Sequence, residues 1–223
     1  MKMMFVNAVS DVDVTLPKEA LAKLKGRIGV CTTIQHLHKI KDVVRQLPGS
    51  VLVGQVLGCR ADNVKKLADK VDAFLYVGTG EFHPIRVALE ANGKDVFVYN
   101  PVSKKLSKLS NSTIDSYRKR IRGALNRFYH AKTVGLLVTT KPGQNNGMIS
   151  NFSLDAKMKL PLEFLKRKDK QYYLFAFDTL DHKSLEDFTF IDSWINFACN
   201  RIMDDRNNKI VNVQDILEAE RES

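Results

Sequence analysis

The chain has 223 residues, which is enough for one large domain or two small ones with separate cores. Its hydrophobic content of 44% and charged content of 27% are typical of a soluble globular protein, and no apolar run approaches the roughly 18–20 residues that span a bilayer. The N-terminus carries one lysine, a short apolar stretch and early acids, unlike a signal peptide, and the three cysteines are too scattered for a disulfide framework. We therefore expect a cytoplasmic protein with reduced thiols and no membrane partner.

The first half of the chain alternates short apolar runs with amphipathic stretches. Strands that are rich in Val, Ile, Leu and Phe without alternation are typical of a parallel sheet covered on both faces. The strand–helix–strand order predicts right-handed crossovers in a doubly wound domain. Strands are predicted at 27–33, 50–55, 73–77 and 95–99, and helices at 34–46, 63–70 and 85–91.

The pattern restarts after a polar segment, 101–112, which is predicted to be a linker, and a long basic helix at 113–131. Further strands are predicted at 133–139, 172–177, 192–197 and 210–213, with a mostly helical segment at 148–166. VDAFLYVG at 71–78 matches IDSWINFA at 191–198 type by type, which indicates a duplication. The sequence therefore predicts an α/β chain of two tandem similar three-layer units, 1–112 and 113–223, each with a mostly parallel sheet of about four strands.

The three cysteines occupy different places in this predicted fold. In open α/β sheets, ligands bind beyond the carboxyl ends of the strands, where Cys59 and Cys199 are expected. Arg60 and a helix that we expect Asp62 to cap would favour a thiolate at Cys59, the form that binds iron–sulfur clusters. A small buried thiol fits the same residues equally well, and Cys199 also has such an alternative. Cys31 lies inside a strand and is expected to be buried.

Three other features have both a functional and a structural interpretation. His83, in the loop GTGEFHP at 78–84, is a general base, a substrate anchor or a helix cap. His36 and His38 are two positions apart at a helix start and cannot share one face, so at most one of them faces a ligand-binding cleft. The loop KPGQ at 141–144 suits an anion or a carboxylate. Nine basic residues and one acid between 101 and 132 form either a docking surface for RNA or an acidic protein, or a solvated helix face.

Several segments resemble, in order, the signatures of the diphthamide-synthase family: VLVGQVLGC at 51–59, FLYVGTGEFHP at 74–84, VTTKPGQ at 138–144 and ACNRIMDD at 198–205, with CTTIQHLHKI at 31–40 also similar. The resemblance implies members with three α/β units, each supplying one cysteine to a [4Fe-4S] cluster. The cluster binds S-adenosylmethionine, which is cleaved to a 3-amino-3-carboxypropyl radical. That group is transferred to a histidine of translation elongation factor 2, the first step of diphthamide biosynthesis.

The resemblance also implies roles for particular residues and a shortened chain that lacks the family's first unit. The third thiolate would come from a partner chain or a second copy, or from Cys31, unless the cluster has been lost. Asn200 stands where the family usually has proline. Competing hypotheses are a cluster-free scaffold that docks on RNA or a translation factor through 104–132, and transfer to another acceptor. The implied metal ligands are Cys59 and Cys199, and the implied cofactor-binding residues are Gly54, Gln55, Gly58, Gly78, Gly80, His83, Lys141, Gly143, Gln144 and Arg201.

Overall fold

The computed structural model describes residues 4, 6–58, 61–141, 169–204 and 209–222. Contacts within the chain divide it into two compact units, Met1–Ser116 and Tyr117–Ser223. Each unit contains a mostly parallel sheet with helices packed against it, which confirms the predicted α/β class with two tandem similar units. None of the described helices combines the length and the apolar composition that a membrane span requires.

The first unit contains five strands and four helices. The strands are β1 Ile28–Thr32, β2 Val51–Gln55, β3 Ala73–Val77, β4 Asp95–Asn100 and β5 Lys105–Lys108, and the helices are α1 Lys18–Leu21, α2 Ile40–Gln46, α3 Asp62–Leu67 and α4 Phe82–Glu90. The strands form one sheet in the order β2-β1-β3-β4-β5, parallel except for β5. Short 3₁₀ turns, Ile34–Lys39 and Ala68–Lys70, precede α2 and follow α3.

The structure corrects the sequence-based prediction of a linker at 101–112. Lys105–Lys108 forms β5, which pairs antiparallel with β4 at the edge of the first sheet. Lys108 Nζ forms an ion pair with Asp95 Oδ2 on β4 at 2.7 Å. Leu106 is partly buried, and the other three residues of the strand are exposed. Such a strand carries too little apolar periodicity to be recognised, because charged side chains are common on sheet edges.

Helices cover both faces of the first sheet, which makes this unit three-layered. On one face, α1 and α2 pack Ala20, Ile40 and Val43 against β1 and β3. On the other face, α3 and α4 pack Val64 and Val87 against the same strands. The inner strands β1 and β3 are buried along their whole length, as expected for a covered parallel sheet.

The second unit contains a four-stranded parallel sheet. Its elements are α5 Asn111–His130, β6 Thr133–Thr139, β7 Gln171–Phe177, β8 Ser193–Asn196, β9 Ile210–Asn212 and α6 Val213–Glu222, with 3₁₀ turns at Lys183–Asp187 and Asn200–Asp204. The strand order is β7-β6-β8-β9. On one face, α5 and α6 pack Phe128 and Ile216 against the strands, and on the other face lies a cluster around Trp194 and Leu185. The predicted helical segment 148–166 lies outside the described residues, and the sequence-based prediction missed α6.

The two sheets share a buried glycine–aromatic pair. In the first sheet Gly29 on β1 lies opposite Phe74 on β3, and in the second Gly135 on β6 lies opposite Trp194 on β8. A Cβ atom on either glycine would overlap the facing ring, at 2.8 Å from Phe74 and 2.2 Å from Trp194. Because the pair recurs at the same place in both sheets, it supports the duplication that the sequence suggested.

A carboxylate before the third strand of each unit also recurs. Asp72 Oδ2 accepts a hydrogen bond from Arg27 N at 2.7 Å, and Asp192 Oδ2 accepts from Lys132 N and Thr133 N, both at 2.9 Å. In each unit the carboxylate therefore joins the start of the central strand to its neighbour.

The expectation of sheets covered on both faces is wrong for two of the edge strands, β2 and β7. Among the described residues, Leu52 on β2 and Tyr173 and Leu174 on β7 are exposed large apolar side chains. An edge strand contacts one neighbouring strand only, so its side chains are less completely covered than those of β1 and β6.

The carboxylate of Asp192 predicts a pH-dependent contribution to stability. The hydrogen bond from the Thr133 backbone, with smaller contributions from the Thr133 hydroxyl and the Lys132 backbone, holds the pKa of Asp192 below its usual value. Because the folded-state pKa is depressed, this stability is present above the unfolded-state pKa of about 3.9 and is lost as pH falls through the folded-state pKa.

Replacing Asp192 by asparagine should therefore lower the urea midpoint at pH 7 and leave little difference near pH 2. Urea unfolding of both proteins at several pH values tests this expectation. Asp187→Asn, which changes an exposed carboxylate at the end of the 3₁₀ turn Lys183–Asp187, is the control. An Asp192→Asn effect of the same size at pH 7 and at pH 2 would contradict it.

Candidate functional site

The carboxyl ends of β1, β2 and β3 meet at one edge of the first sheet, where ligands of open α/β sheets bind. Thr32 Oγ1 donates to Val77 O at 2.6 Å, and Val56 N donates to Thr32 O at 2.8 Å. Asn63 Nδ2 donates to the carbonyl of Gln55 at 2.8 Å and also to that of Val53. These bonds hold the loops after the three strands in fixed positions.

The end of β2 and the loop after it contain two of the glycines predicted to bind a cofactor. Gly54, the fourth residue of β2, has φ +89° and pairs with Cys31 directly after a register shift in the pairing with β1. Gly58 is buried against Phe82, and a Cβ atom there would lie 1.7 Å from the Phe82 ring. Both glycines thus have a structural role, and their part in binding a cofactor stays a prediction.

Cys59, which follows directly, lies outside the described residues with Arg60. Its predicted role as a metal ligand stays a prediction. The structure corrects the expected start of the next helix, because Asp62 is the first residue of α3 and Ala61 is the N-cap, without a side-chain capping bond.

His83, which the sequence placed in the loop after β3, is the second residue of α4 and lies against a buried tyrosine. The imidazole stacks on the Tyr76 ring, with 6.0 Å between the centroids and an angle of 7° between the planes. Gly78 N donates to Tyr99 O at 2.9 Å, and a Cβ atom on Gly78 would overlap the Tyr76 hydroxyl. The alternative that His83 caps the helix is wrong, since Glu81 is the N-cap of α4.

Burial determines the chemistry of Tyr76, which the sequence-based interpretation missed. The side chain is 1% exposed, and burial raises its pKa to about 12. The phenol therefore stays protonated near neutral pH. Its position on a core strand resembles that of any apolar residue, so no sequence signal distinguishes it.

His36 and His38 differ in exposure, as their spacing predicted. The 3₁₀ turn Ile34–Lys39 buries His36 and leaves His38 exposed. Burial lowers the pKa of His36, with a smaller contribution from His38 and Lys39. Among the described groups, Nδ1 of His36 has no hydrogen-bond partner.

Cys31 is a core residue, as expected. Its side chain is fully buried on β1, and the thiol donates to Leu75 O at 3.6 Å. Burial strongly raises the pKa of this thiol. Cys31 therefore does not suit the role of a replacement ligand, since metal binding requires a thiolate.

The second sheet places Cys199 at its carboxyl edge. The residue follows β8 and precedes the 3₁₀ turn Asn200–Asp204, and its side chain is half-buried. Ile202 N donates to Cys199 O at 3.0 Å, which closes the turn. A thiol that is accessible at this edge meets the structural requirement for a ligand-binding group.

A buried amide on β8 holds the Cys199 loop. Asn196 is fully buried, and its Nδ2 donates to Cys199 O at 3.0 Å and to Asn212 Oδ1 at 2.8 Å. Its Oδ1 accepts from Ala198 N at 2.9 Å, so the amide bonds the loop on both sides of the cysteine. Asn212 in turn donates to Asp215, in the first turn of α6, at 3.1 Å.

The sequence-based interpretation missed these three polar residues. The available signal was a polar residue, Asn196, directly after the apolar pair Trp194-Ile195, at the position that Tyr76 occupies in the first unit. A buried amide is stable only when its donors and acceptor are bonded, so it is a strong constraint on the loop that it contacts.

The remaining predicted residues of this edge are only partly described. Lys141 Nζ donates to Thr179 Oγ1 at 2.9 Å, beyond the end of β7, and Arg201 is exposed in the turn after Cys199. Gly143 and Gln144 lie outside the described residues. Within the described ranges, no three His, Cys, Asp or Glu side chains are grouped as a metal site. Of the proposed cluster ligands, the structure therefore describes Cys199 alone, and its thiol is exposed enough to contact a cluster.

Comparison with known proteins identifies the family. The sequence profile of the family described as "Putative diphthamide synthesis protein" matches residues 1–209. The chain belongs to this family. The resemblance read from the loops of the sequence is confirmed, whereas the expectation of a shortened form stays a prediction.

Two curated relatives of this family illustrate the similarity. The 2-(3-amino-3-carboxypropyl)histidine synthase of Methanocaldococcus jannaschii is 31% identical over 179 residues, which are 79% of this chain and 46% of the relative. Subunit 1 of the same enzyme from Encephalitozoon cuniculi is 24% identical over 217 residues, 90% of this chain and 58% of the relative. The chain thus spans about half the length of the curated relatives that it matches.

A solved structure of the family has a similar fold. The crystal structure of Dph2 from Pyrococcus horikoshii with a 4Fe-4S cluster matches with a TM-score of 0.68 and 25% identity, covering 93% of this chain and 62% of Dph2. The α/β architecture of this diphthamide-family chain is therefore that of a protein known to carry an iron–sulfur cluster.

Proposed function

We propose that this chain forms part of a 2-(3-amino-3-carboxypropyl)histidine synthase that uses a [4Fe-4S] cluster and S-adenosylmethionine. Its proposed substrate is a histidine of translation elongation factor 2. The observation that carries the proposal is Cys199, a half-buried thiol at the carboxyl edge of the second sheet in a chain of this family. The name and the cluster of the structural neighbour support it.

Cys199 and Cys59 are the proposed cluster ligands. Asn196 holds the backbone on both sides of Cys199, so the thiol is presented without a large loss of conformational entropy on binding. When bound, the cluster supplies the electron for cleavage of S-adenosylmethionine. The carboxylate of S-adenosylmethionine is proposed to bind the cations Lys141 and Arg201 and the backbone of Gly143 and Gln144.

In the first unit, the loops after β2 and β3 are the proposed binding elements. Gly54, Gln55 and Gly58 bring backbone groups to the sheet edge, and Gly78 and Gly80 do so after β3. His83 is held by stacking on Tyr76, which gives an imidazole of fixed orientation for contact with the cofactor or the substrate.

A further chain is part of the proposal. The family resemblance assigns three thiolates to the cluster, and Cys31 is excluded by its burial. We propose that a partner chain, or a second copy, supplies the third. Relatives from Encephalitozoon cuniculi and Yarrowia lipolytica are named subunit 1, which supports an enzyme of more than one chain.

Anaerobic reconstitution with iron and sulfide tests the ligands. The wild-type chain, alone or with a co-purifying partner, should become brown and absorb in the visible range. Cys59→Ala and Cys199→Ala should each lower bound iron several-fold, because each removes a thiolate from the cluster. Cys31→Ala is the matched control and should bind as much iron as the wild type.

Circular dichroism of each variant before reconstitution distinguishes ligand loss from misfolding. A wild-type chain that stays colourless with and without its partner would overturn the cluster, and equal iron in all three variants would overturn the assigned ligands. If the cluster is present, mass spectrometry of elongation factor 2 incubated with S-adenosylmethionine and a reductant tests the acceptor.

A further inference from the structure

The second unit has an open cleft at the edge of its sheet opposite Cys199. The cleft has a volume of about 600 Å³. Its walls are the last turns of α5 and the residues directly before β6, β8 and β9, at the amino ends of the strands. It is therefore separate from the carboxyl edge to which the proposed cofactor function belongs.

The lining of this cleft is basic. Arg127, Lys132 and Lys209 contribute three cations, and Asp192 is the one carboxylate among the lining residues. The Asp192 oxygen already accepts hydrogen bonds from Lys132 N, Thr133 N and Thr133 Oγ1. The cleft therefore has an excess of positive charge, which favours an anionic ligand.

The exposed face of α5 extends the charge beyond the cleft. Residues 119, 122, 126 and 130 are separated by three or four positions, and 127 lies three positions before 130, so all five lie on one face of the helix. All five are exposed and polar, whereas Ala124 and Phe128 on the opposite face are buried. At 1.5 Å per residue this face is about 16 Å long, which spans several phosphates of a nucleic-acid strand.

Gly123 lies in the middle of this face without a packing reason. It lines the cleft, it is exposed, and a Cβ atom added there would meet nothing within 4 Å. Glycine is the least favourable residue in a helix interior apart from proline. No side chain of the described residues requires its small size, so the space above this glycine is open to the close approach of a ligand.

The carbonyl groups at the end of α5 do not oppose an anion. Lys170 is almost fully buried, and its Nζ donates to Tyr129 O at 2.9 Å and to Ala131 O at 2.7 Å. His130 Nδ1 donates to Asn126 O at 2.8 Å. These donors offset the partial negative charge that a helix C-terminus carries.

We infer that this surface, from Lys119 to the cleft at Lys132, binds the phosphate backbone of RNA. A row of Arg and Lys side chains along a helix, beside an exposed glycine, suits regularly spaced phosphates. None of the residues that line the cleft is Phe, Tyr or Trp, and the ring nitrogen Nδ1 of His130, the one aromatic ring among them, is bonded to Asn126 O. We therefore take double-helical RNA, which is recognised mostly by its shape and its phosphates, as the form that binds.

The inferred RNA-binding surface is shorter than the basic segment 104–132 that the sequence suggested. Lys104 and Lys108 belong to the first unit and pair with Asp13 and Asp95, each at 2.7 Å. The binding surface is accordingly the second-unit part of the segment. It does not depend on the cluster, and its test needs no iron.

Fluorescence anisotropy with a labelled RNA duplex tests the inference on the full chain. The double variant Arg127→Gln/Lys132→Gln should weaken binding by about tenfold or more at 0.1 M salt. It should also lower the slope of log affinity against log salt concentration by about two, because two phosphate contacts are lost. The control Lys23→Gln/Arg27→Gln removes the same charges from exposed positions of the first unit and should change affinity by less than twofold.

Gly123→Leu separates binding from structure. Leucine favours the helix and meets open space, so this variant should melt at a higher temperature while it binds RNA more weakly. Equal weakening in the Lys23/Arg27 control, or unchanged affinity in both the Arg127/Lys132 and the Gly123 variants, would overturn the inference. Displacement of the RNA by poly-L-glutamate at equal charge concentration would show an acidic-protein surface instead and would also overturn it.

Discussion

Replacement of Asn196 by alanine is expected to loosen the Cys199 loop and to destabilise the second unit by about 2–4 kcal/mol. The change removes the donors to Cys199 O and Asn212 Oδ1 and the acceptor for Ala198 N. Asn196 is fully buried, so water does not replace the hydrogen bonds that its partners lose.

Two measurements check this expectation. Urea unfolding gives the loss of stability, and alkylation of Cys199 by iodoacetamide under native conditions reports the order of its loop. The alkylation rate should rise several-fold in Asn196→Ala, and bound iron after reconstitution should fall although Cys199 is still present. A cluster ligand held in place binds better than the same ligand on a mobile loop.

Ser193→Ala is the matched control. Ser193 is also fully buried on β8, but its hydroxyl donates to Lys209 O at 3.3 Å, away from the cysteine. This variant should lower stability slightly and leave Cys199 reactivity and iron content unchanged. If Asn196→Ala and Ser193→Ala affect Cys199 to the same extent, Asn196 stabilises the fold without positioning the thiol.

Replacement of Gly135 by alanine is expected to destabilise the second unit by about 3 kcal/mol or more. The new Cβ atom would lie 2.2 Å from Cε3 and 2.3 Å from Cζ3 of Trp194. The indole is 1% exposed, and the ring of Phe175 contacts it at a centroid distance of 4.8 Å. Neither the backbone of an inner strand nor a ring packed in this way moves without disturbing its neighbours.

A compensating change makes this prediction specific. The two overlapping atoms belong to the six-membered ring of the indole, so Trp194→Phe should restore part of the stability of Gly135→Ala. Circular dichroism during urea unfolding of both single variants and the double variant gives the coupling free energy. Strictly additive effects would contradict the proposed overlap.

The equivalent change in the first unit provides a graded comparison. A Cβ atom on Gly29 would lie 2.8 Å from the Phe74 ring, a milder overlap than at Gly135. Gly29→Ala should therefore cost less than Gly135→Ala. The reverse order would show that the two glycine–aromatic pairs do not have the same packing.

Much of the fold was predictable because its strands are local in sequence. Ala73–Val77 and Thr133–Thr139 form at the predicted residues, since continuous apolar runs between turns are typical of buried parallel strands. β5 was missed, because a charged edge strand has no apolar pattern. Helix starts were less accurate, as at Asp62, because capping depends on where the preceding loop leads the chain.

The candidate site was predictable by position and less so by contacts. The rule that ligands bind at the carboxyl ends of parallel strands was sufficient to place Cys199 at the edge of the second sheet and Cys31 in the core, while the role of Cys199 as a ligand stays a prediction. It could not reveal that Asn196 bonds the chain at Ala198 and Cys199, since the network also needs Asn212 on another strand and Asp215 on a helix. Hydrogen bonds between elements distant in sequence leave no spacing to recognise.

By itself, the sequence determined the family, the α/β class, the tandem units and the position of the candidate thiol Cys199 after a strand of the second sheet. These follow from apolar periodicity and short loop motifs, which act over a few residues. Only the tertiary structure decided which polar residues are buried together, which glycines face aromatic rings, and that the end of α5 and three strand starts enclose one basic cleft. Such features depend on distances between segments that are far apart in the chain, and those distances exist only after folding.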